Sequence, residues 1–362
     1  MNPRPTVPAP WSTTGLGSLP FAEPAEAVAH VFAHYDIPFW PQLPKCGPGE
    51  HMLRQFLTPQ GRAILAGSDE AGGRFDSAAS GWPAADQAAA WTPFIKHLEA
   101  LPAEKRPAWV KGQVTGPYSL EVLLQMSPEF ADAEGEAPRA ATSREGNMSR
   151  WARWVAAIIG QQVRRLQALG PRVQVWLDEP CAGLPQAAGE TLPPGLAAAA
   201  EEIRRIPGTV GPGHSGGDGG EFWMGLHLCA GDHFRIAEQS GPQGADAIAR
   251  TLLWATTTGV RVAGVEVWAS AAPFAKSGPA LARHLKDGGW IAWGAVSTLG
   301  HPPPAAVLEA LRHPASWLGD DEAARRLSQQ SMLTAACGTG LRSIEDEMRV
   351  VGGLKSLQAA LR

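Results

Sequence analysis

No stretch of about twenty consecutive apolar residues occurs in this chain, so nothing in it reads as a membrane-spanning helix. The N-terminus, Met1-Asn2-Pro3-Arg4-Pro5, lacks the apolar core of a signal peptide, and the expected compartment is the cytoplasm. Charge is sparse: Asp, Glu, Lys and Arg make up 18% of 362 residues, the formal net charge is −4, and no long basic run occurs. That balance gives no electrostatic footprint for nucleic acid or an anionic membrane, and neither is expected as a partner. Cysteine is scarce as well. Cys46, Cys181, Cys229 and Cys337 are too few and too scattered for a disulfide scaffold, and a reducing compartment keeps them as thiols. Free thiols are what a zinc site needs.

Against these absences stands Gly225-Leu-His-Leu-Cys-Ala-Gly231. On an extended backbone, side chains two residues apart share a face, so His227 and Cys229 can grip one metal ion. Two further candidates lie downstream: Glu266 in the apolar run Val262–Trp268, and Cys337 in Thr334-Ala-Ala-Cys-Gly338. A His, a carboxylate and two thiols suit zinc and leave it able to bind a substrate sulfur. Each residue also has a plainer explanation. A lone His-x-Cys pair is more often buried packing, because free Cys is among the most buried residue types. Cys337 beside Gly338 could be a tight turn. Glu266 is harder to dismiss, since a carboxylate in an apolar strand is costly to bury without a partner.

Short apolar segments alternate with longer stretches of helical spacing, which is the βα pattern. Eight strands are expected, at residues 13–19, 37–43, 108–114, 173–177, 223–228, 262–268, 290–296 and 332–336. Helices are expected at 24–35, 143–169, 244–258, 277–285 and 343–361. In the second of these Trp151, Val155, Ile158 and Leu166 share a face opposite Arg153 and Arg164, and Gly170-Pro171 ends it. The fold expected is a single elaborated (β/α)8 TIM barrel over residues 1–362, with an inserted loop and helix at 65–102 and a Gly-rich loop at 207–221 that gates the site. Active sites of such barrels lie at the C-terminal ends of the strands. Gly17-Ser18, Gly112–Pro117, Asp178-Glu179-Pro180, His227 with Cys229, Glu266 and Cys337 all fall there. The adjacent acids Asp178 and Glu179 should repel each other unless a cation visits, or unless one caps a helix.

In order along the chain, Thr13-Thr-Gly-Leu-Gly-Ser-Leu-Pro20, Ile37–Pro44, Lys111-Gly-Gln-Val-Thr-Gly-Pro117, Asp178-Glu-Pro180, His227-Leu-Cys229 and Cys337-Gly338 resemble the C-terminal catalytic barrel of cobalamin-independent methionine synthases. They are more similar still to short single-barrel relatives in the superfamily shared with uroporphyrinogen decarboxylase. The resemblance implies a methyltransferase with zinc (Zn2+) held by His227, Cys229, Glu266 and Cys337. It also implies a homocysteine-like amino acid bound by Leu16, Gly17, Ser18 and Asp178, with Glu50 as a second partner for the ammonium.

Two departures bear on the methyl donor. The family's folate-binding segment has no counterpart before the third strand, where Ser77–Pro83 stands instead. The His that would follow the seventh strand is replaced by apolar residues, with His301 a few positions late. A donor whose leaving group needs no proton fits that loss, and the expected donor is a methyl-corrinoid on a partner protein. The alternatives are a coenzyme M-type thiol methyltransferase, from which the ammonium partner Asp178 distinguishes it, a decarboxylase of tetrapyrrole acids, which needs no metal and many basic residues, and a non-catalytic accessory barrel.

Overall fold

The computed structural model describes residues 6–52, 54–56, 88–126, 144–180, 222–228, 252, 255, 259–267 and 272–362. Seven strands form one parallel sheet: β1 (Ser12–Thr13), β2 (Trp109–Thr115), β3 (Arg172–Asp178), β4 (Phe222–His227), β5 (Val262–Glu266), β6 (Trp290–Val296) and β7 (Ser331–Ala335), in the spatial order β1-β7-β6-β5-β4-β3-β2. Consecutive strands from β2 to β7 are neighbours, and β1 returns to pair with β7 through Ser12↔Met332. The helices are α1 (Pro24–His34), α2 (Trp91–Ala100), α3 (Pro117–Met126), α4 (Arg144–Gln167), α5 (Ala272–Lys286), α6 (Ala305–Arg312), α7 (Ala315–Leu318), α8 (Asp321–Gln329) and α9 (Ile344–Leu361). No helix among the described residues is long and apolar enough to cross a membrane.

Period-two alternation divides the core in two. Val110, Val114, Val175, Leu177, Leu226 and Val265 face the helices. Trp109, Trp176, Trp223, Val262, Trp290 and Met332 face the other way and form a separate cluster with Ile37. Trp109, Trp223 and Trp290 lie at the starts of their strands, with ring centroids 4.6 Å apart for the first pair and 5.4 Å for the second. They make an aromatic floor beneath the C-terminal strand ends.

Two strand expectations are corrected. The segment expected at 13–19 is regular only over Ser12–Thr13, and the one at 37–43 is no strand but makes isolated parallel bridges, Ser18↔Gln42 and Phe39↔Lys111. Pro38 and Pro41 have no N–H to give a ladder, and Gly17 sits at φ +149°, outside strand geometry. The segment still bonds on both sides: Ile37 N–H to the Thr13 carbonyl at 3.0 Å, and Lys111 N–H to the Pro38 carbonyl at 2.8 Å.

The long helix matches its sequence pattern. Trp151, Val155, Ile158 and Leu166 are buried while Arg153 and Arg164 are exposed. Ser343 caps α9 with a capping box to Asp346. Helices α3, α6, α7 and α8 were not expected. The helix expected at 244–258 and the Gly-rich loop at 207–221 fall almost wholly outside the described residues, and 65–102 is described only from residue 88, where α2 follows.

Candidate functional site

The inward positions near the C-terminal ends of β2, β3, β4 and β5 are polar. Lys111, Gln113 and Thr115 on β2, Asp178 on β3, His227 on β4 and Glu266 on β5 alternate with apolar residues that pack outward. Strand register brings Asp178 level with Thr115 on one side and with His227 on the other, and His227 level with Gly264.

Asp178 and Glu179 divide their work. Glu179 is fully buried and accepts hydrogen bonds from the amides of Tyr118 (3.1 Å) and Ser119 (2.7 Å), which capture it at the N-terminus of α3. So one acid of the pair does cap a helix, though not the helix that follows it in sequence. Burial pushes the Glu179 carboxyl up to about 7 despite those bonds. Asp178 turns inward. Its Oδ1 is buried with no hydrogen-bond partner among the described residues, and burial lifts its carboxyl to about 6 against the pull of Lys111.

The cation expected to answer this acid pair is part of the chain. Lys111 is 0% exposed; its Nζ donates to the Leu16 carbonyl (3.0 Å) and to Gln113 Oε1 (3.3 Å), and lies 4.9 Å from the Trp176 ring centroid. Burial pulls its ammonium down to about 7, with Asp178 acting the other way. An ordinary lysine titrates near 10.5. The unfolded chain therefore binds more protons than the folded one between those values, and stability rises with pH across that window. Lys111→Met removes the dependence. Its stability relative to the native protein should fall by about 1.4 kcal/mol per pH unit from pH 7 toward pH 9, read by urea unfolding at several pH values. A difference that does not vary with pH would rule this out.

His227 is 4% exposed, and its Nε2 has no hydrogen-bond partner among the described residues. Burial, then Lys111, lowers its pKa to about 3, so it is neutral at working pH and its ring nitrogen is able to ligate. Two inward glycines let neighbouring strands approach on this face. A Cβ on Gly264 would touch His227 Nδ1 at 3.4 Å, and one on Gly294 would press on Glu266 Cα at 3.3 Å and Ala336 Cα at 3.2 Å. Gly294 thus lets β5 and the end of β7 close in on each other, bringing Glu266 toward the residue that precedes Cys337. Cys337 is a half-buried thiol. Cys229 lies outside the described residues, and among the described residues no three His, Cys, Asp or Glu side chains gather into a metal-binding group.

The turn at Leu16-Gly17-Ser18 has its carbonyls taken: Leu16 by Lys111 Nζ, Gly17 by the Gln42 amide (2.9 Å) and Ser18 by the Thr339 amide (2.9 Å). What the turn can offer a ligand is N–H and the Ser18 hydroxyl. Glu50 is buried with its oxygens engaged by the amides of Leu43 and Ala89 and by Gln55 Nε2, and burial raises its carboxyl despite those bonds. It braces the 43–50 turn. His301 is exposed, on a turn held by its own amide to Ser297 Oγ at 3.0 Å. Sequence reasoning missed Lys111 as a site residue. Its signal was alternation, because Trp109, Lys111, Gln113 and Thr115 must share one face.

No protein-family model and no curated protein matches the chain. Among solved structures it is similar to a B12-independent methionine synthase from Shewanella sp. W3-18-1 in complex with selenomethionine, at 14% identity and a TM-score of 0.46. The similarity covers 74% of this chain and 65% of that one, so the chain spans less than two thirds of that protein. It is also similar to a candidate vitamin-B12-independent methionine synthase from Listeria monocytogenes, at 14% identity and a TM-score of 0.39, covering 74% of this chain and 68% of that one.

Proposed function

We propose that residues 1–362 form one elaborated (β/α)8 barrel, the irregular 37–42 segment closing the ring between β1 and β2, and that it transfers a methyl group to the thiol of homocysteine or a similar small amino thiol. The observation that carries this is a pair of buried atoms without a partner among the described residues, His227 Nε2 and Asp178 Oδ1, on strand positions in register. A buried polar atom without a partner costs about 1–3 kcal/mol, and such costs are retained where a ligand supplies the missing partner.

The donor chemistry fits zinc held by His227, Cys229, Glu266 and Cys337: a neutral imidazole, two thiols and a carboxylate. When bound, zinc keeps a coordinated thiol deprotonated near neutral pH, where a free thiol of pKa about 8.5 is mostly protonated. The rest falls to the chain. Asp178 accepts the substrate ammonium, and the Leu16-Gly17-Ser18 turn gives N–H and hydroxyl donors to the carboxylate. Lys111 holds that turn through the Leu16 carbonyl, and Glu50 supports the ammonium end by fixing the 43–50 turn. The substrate sulfur then attacks the methyl carbon; the S–C bond forms as the donor–carbon bond breaks, and its electron pair leaves with the donor.

With His301 exposed and Ala295 and Val296 in the strand before it, the donor we infer is one whose leaving group takes no proton, a methyl-corrinoid on a partner protein. Purified protein should contain one zinc per chain and methylate homocysteine with methylcobalamin but not with methyltetrahydrofolate. Zinc-free protein that stays inactive after zinc is restored would overturn the metal assignment. Turnover with methylfolate would overturn the donor alone.

A further inference from the structure

Helix α9 buries a carboxylate that the chemistry above does not use. Glu347 is 0% exposed; its Oε1 accepts from the Tyr35 hydroxyl (2.7 Å) and lies 2.9 Å from His30 Nε2, and its Oε2 accepts from Thr339 Oγ1 at 2.6 Å. His30 belongs to α1 and Tyr35 follows it directly, so the network joins two helices to one loop. Thr339 is two residues past Cys337. Its amide donates to the Ser18 carbonyl at 2.9 Å, and the next amide, Gly340, reaches Ser18 Oγ at 3.4 Å. Between Cys337 and Thr339, a Cβ on Gly338 would lie 2.1 Å from Ser18 Oγ, so the loop lies directly on the Ser18 turn and tolerates no side chain there.

We propose that Glu347 is a positioning residue: by holding the Thr339 hydroxyl it fixes the loop that carries Cys337 against the turn that carries Ser18. Both ends of the site, the thiol ligand and the amino-acid turn, are then set by one buried carboxylate that touches neither. A fully bonded buried polar network of this kind specifies one arrangement of its members, which an apolar contact would leave adjustable. That the two ends serve one reaction rests on the proposed methyl transfer, whereas the positional link does not.

Thr339→Val keeps the side-chain shape and removes the hydroxyl. In the full chain it is expected to raise the alkylation rate of Cys337 by iodoacetamide about tenfold, followed by peptide mass spectrometry, and to speed hydrogen exchange at Thr339 and Gly340, as losing one net hydrogen bond predicts. Thr339→Ser should restore native rates, and Glu347→Gln should fall between. Tyr35→Phe removes a bond to the same carboxylate without touching the loop, and it should lower the melting temperature while leaving Cys337 at its native rate. Native Cys337 reactivity in both Thr339→Val and Glu347→Gln would overturn the proposal, as would Tyr35→Phe matching Thr339→Val. If Thr339→Val changes Cys337 but the native protein binds no zinc and methylates no thiol, the positional link stands and the methyltransferase reading fails.

Discussion

His227→Leu is expected to make the metal-free protein more stable while abolishing the proposed zinc binding. The buried Nε2 has no partner among the described residues, so an apolar side chain of similar size relieves a cost of about 1–3 kcal/mol. In the same variant, loss of a proposed direct ligand should weaken zinc by more than the roughly 10- to 100-fold seen when a residue that merely orients a ligand is removed. Methyl transfer should fall with it, since the acceptor thiol then returns to its ordinary protonation. Opposite signs in stability and function mark a group kept for its ligand rather than for the fold. Urea unfolding of chelator-treated protein and zinc measured by atomic absorption give the two readings. A less stable apo variant, or one that keeps native zinc, would refute the assignment.

The second large effect belongs to Asp178. Asp178→Asn keeps size and hydrogen-bonding capacity but removes the charge, and a hydrogen bond to a charged group contributes about 1.5–3 kcal/mol. The variant should therefore lose about 10- to 150-fold in kcat/KM for homocysteine. A thiol of similar length without the amine, such as 3-mercaptopropionate, should lose little. Equal losses for both thiols would deny the ammonium contact and favour a sulfonate-type acceptor such as coenzyme M.

Strands β2 to β7 were legible because each carries regularly alternating or continuous apolar residues, and β6 matches its expected span at both ends. The ring between β1 and β2 was less so. Apolar content predicts burial there correctly, but Pro38, Pro41 and the positive φ of Gly17 remove regular pairing, which composition alone does not register. Helix α8 was missed even though its start is plain, with Asp320 accepting from the Ala323 amide after Gly319 closes α7 in the left-handed region. At the site, residue types singled out His227, Glu266 and Asp178 as candidates, and strand alternation places all three on the inward face. What they could not give was the fate of each acid: that Glu179 is spent on α3, that Glu50 is spent on its own turn, and that the cation facing Asp178 is a lysine one strand away. Those depend on which segments the fold brings together, a property of pairs of segments rather than of any one.

The aromatic floor carries a kinetic consequence. Among the described residues Trp109, Trp223 and Trp290 pack across the lower end, so in the proposed reaction reactants and products would share the mouth at the C-terminal strand ends. In the proposed methyl transfer the small thiol would sit deeper, against His227 and Asp178, and the bulky methyl carrier would come in over it. Turnover should therefore be ordered and sequential, with the acceptor first on and the thioether last off. Initial-rate plots should give intersecting lines rather than the parallel lines of a ping-pong exchange, and excess methyl carrier should inhibit by blocking the door before the acceptor has entered.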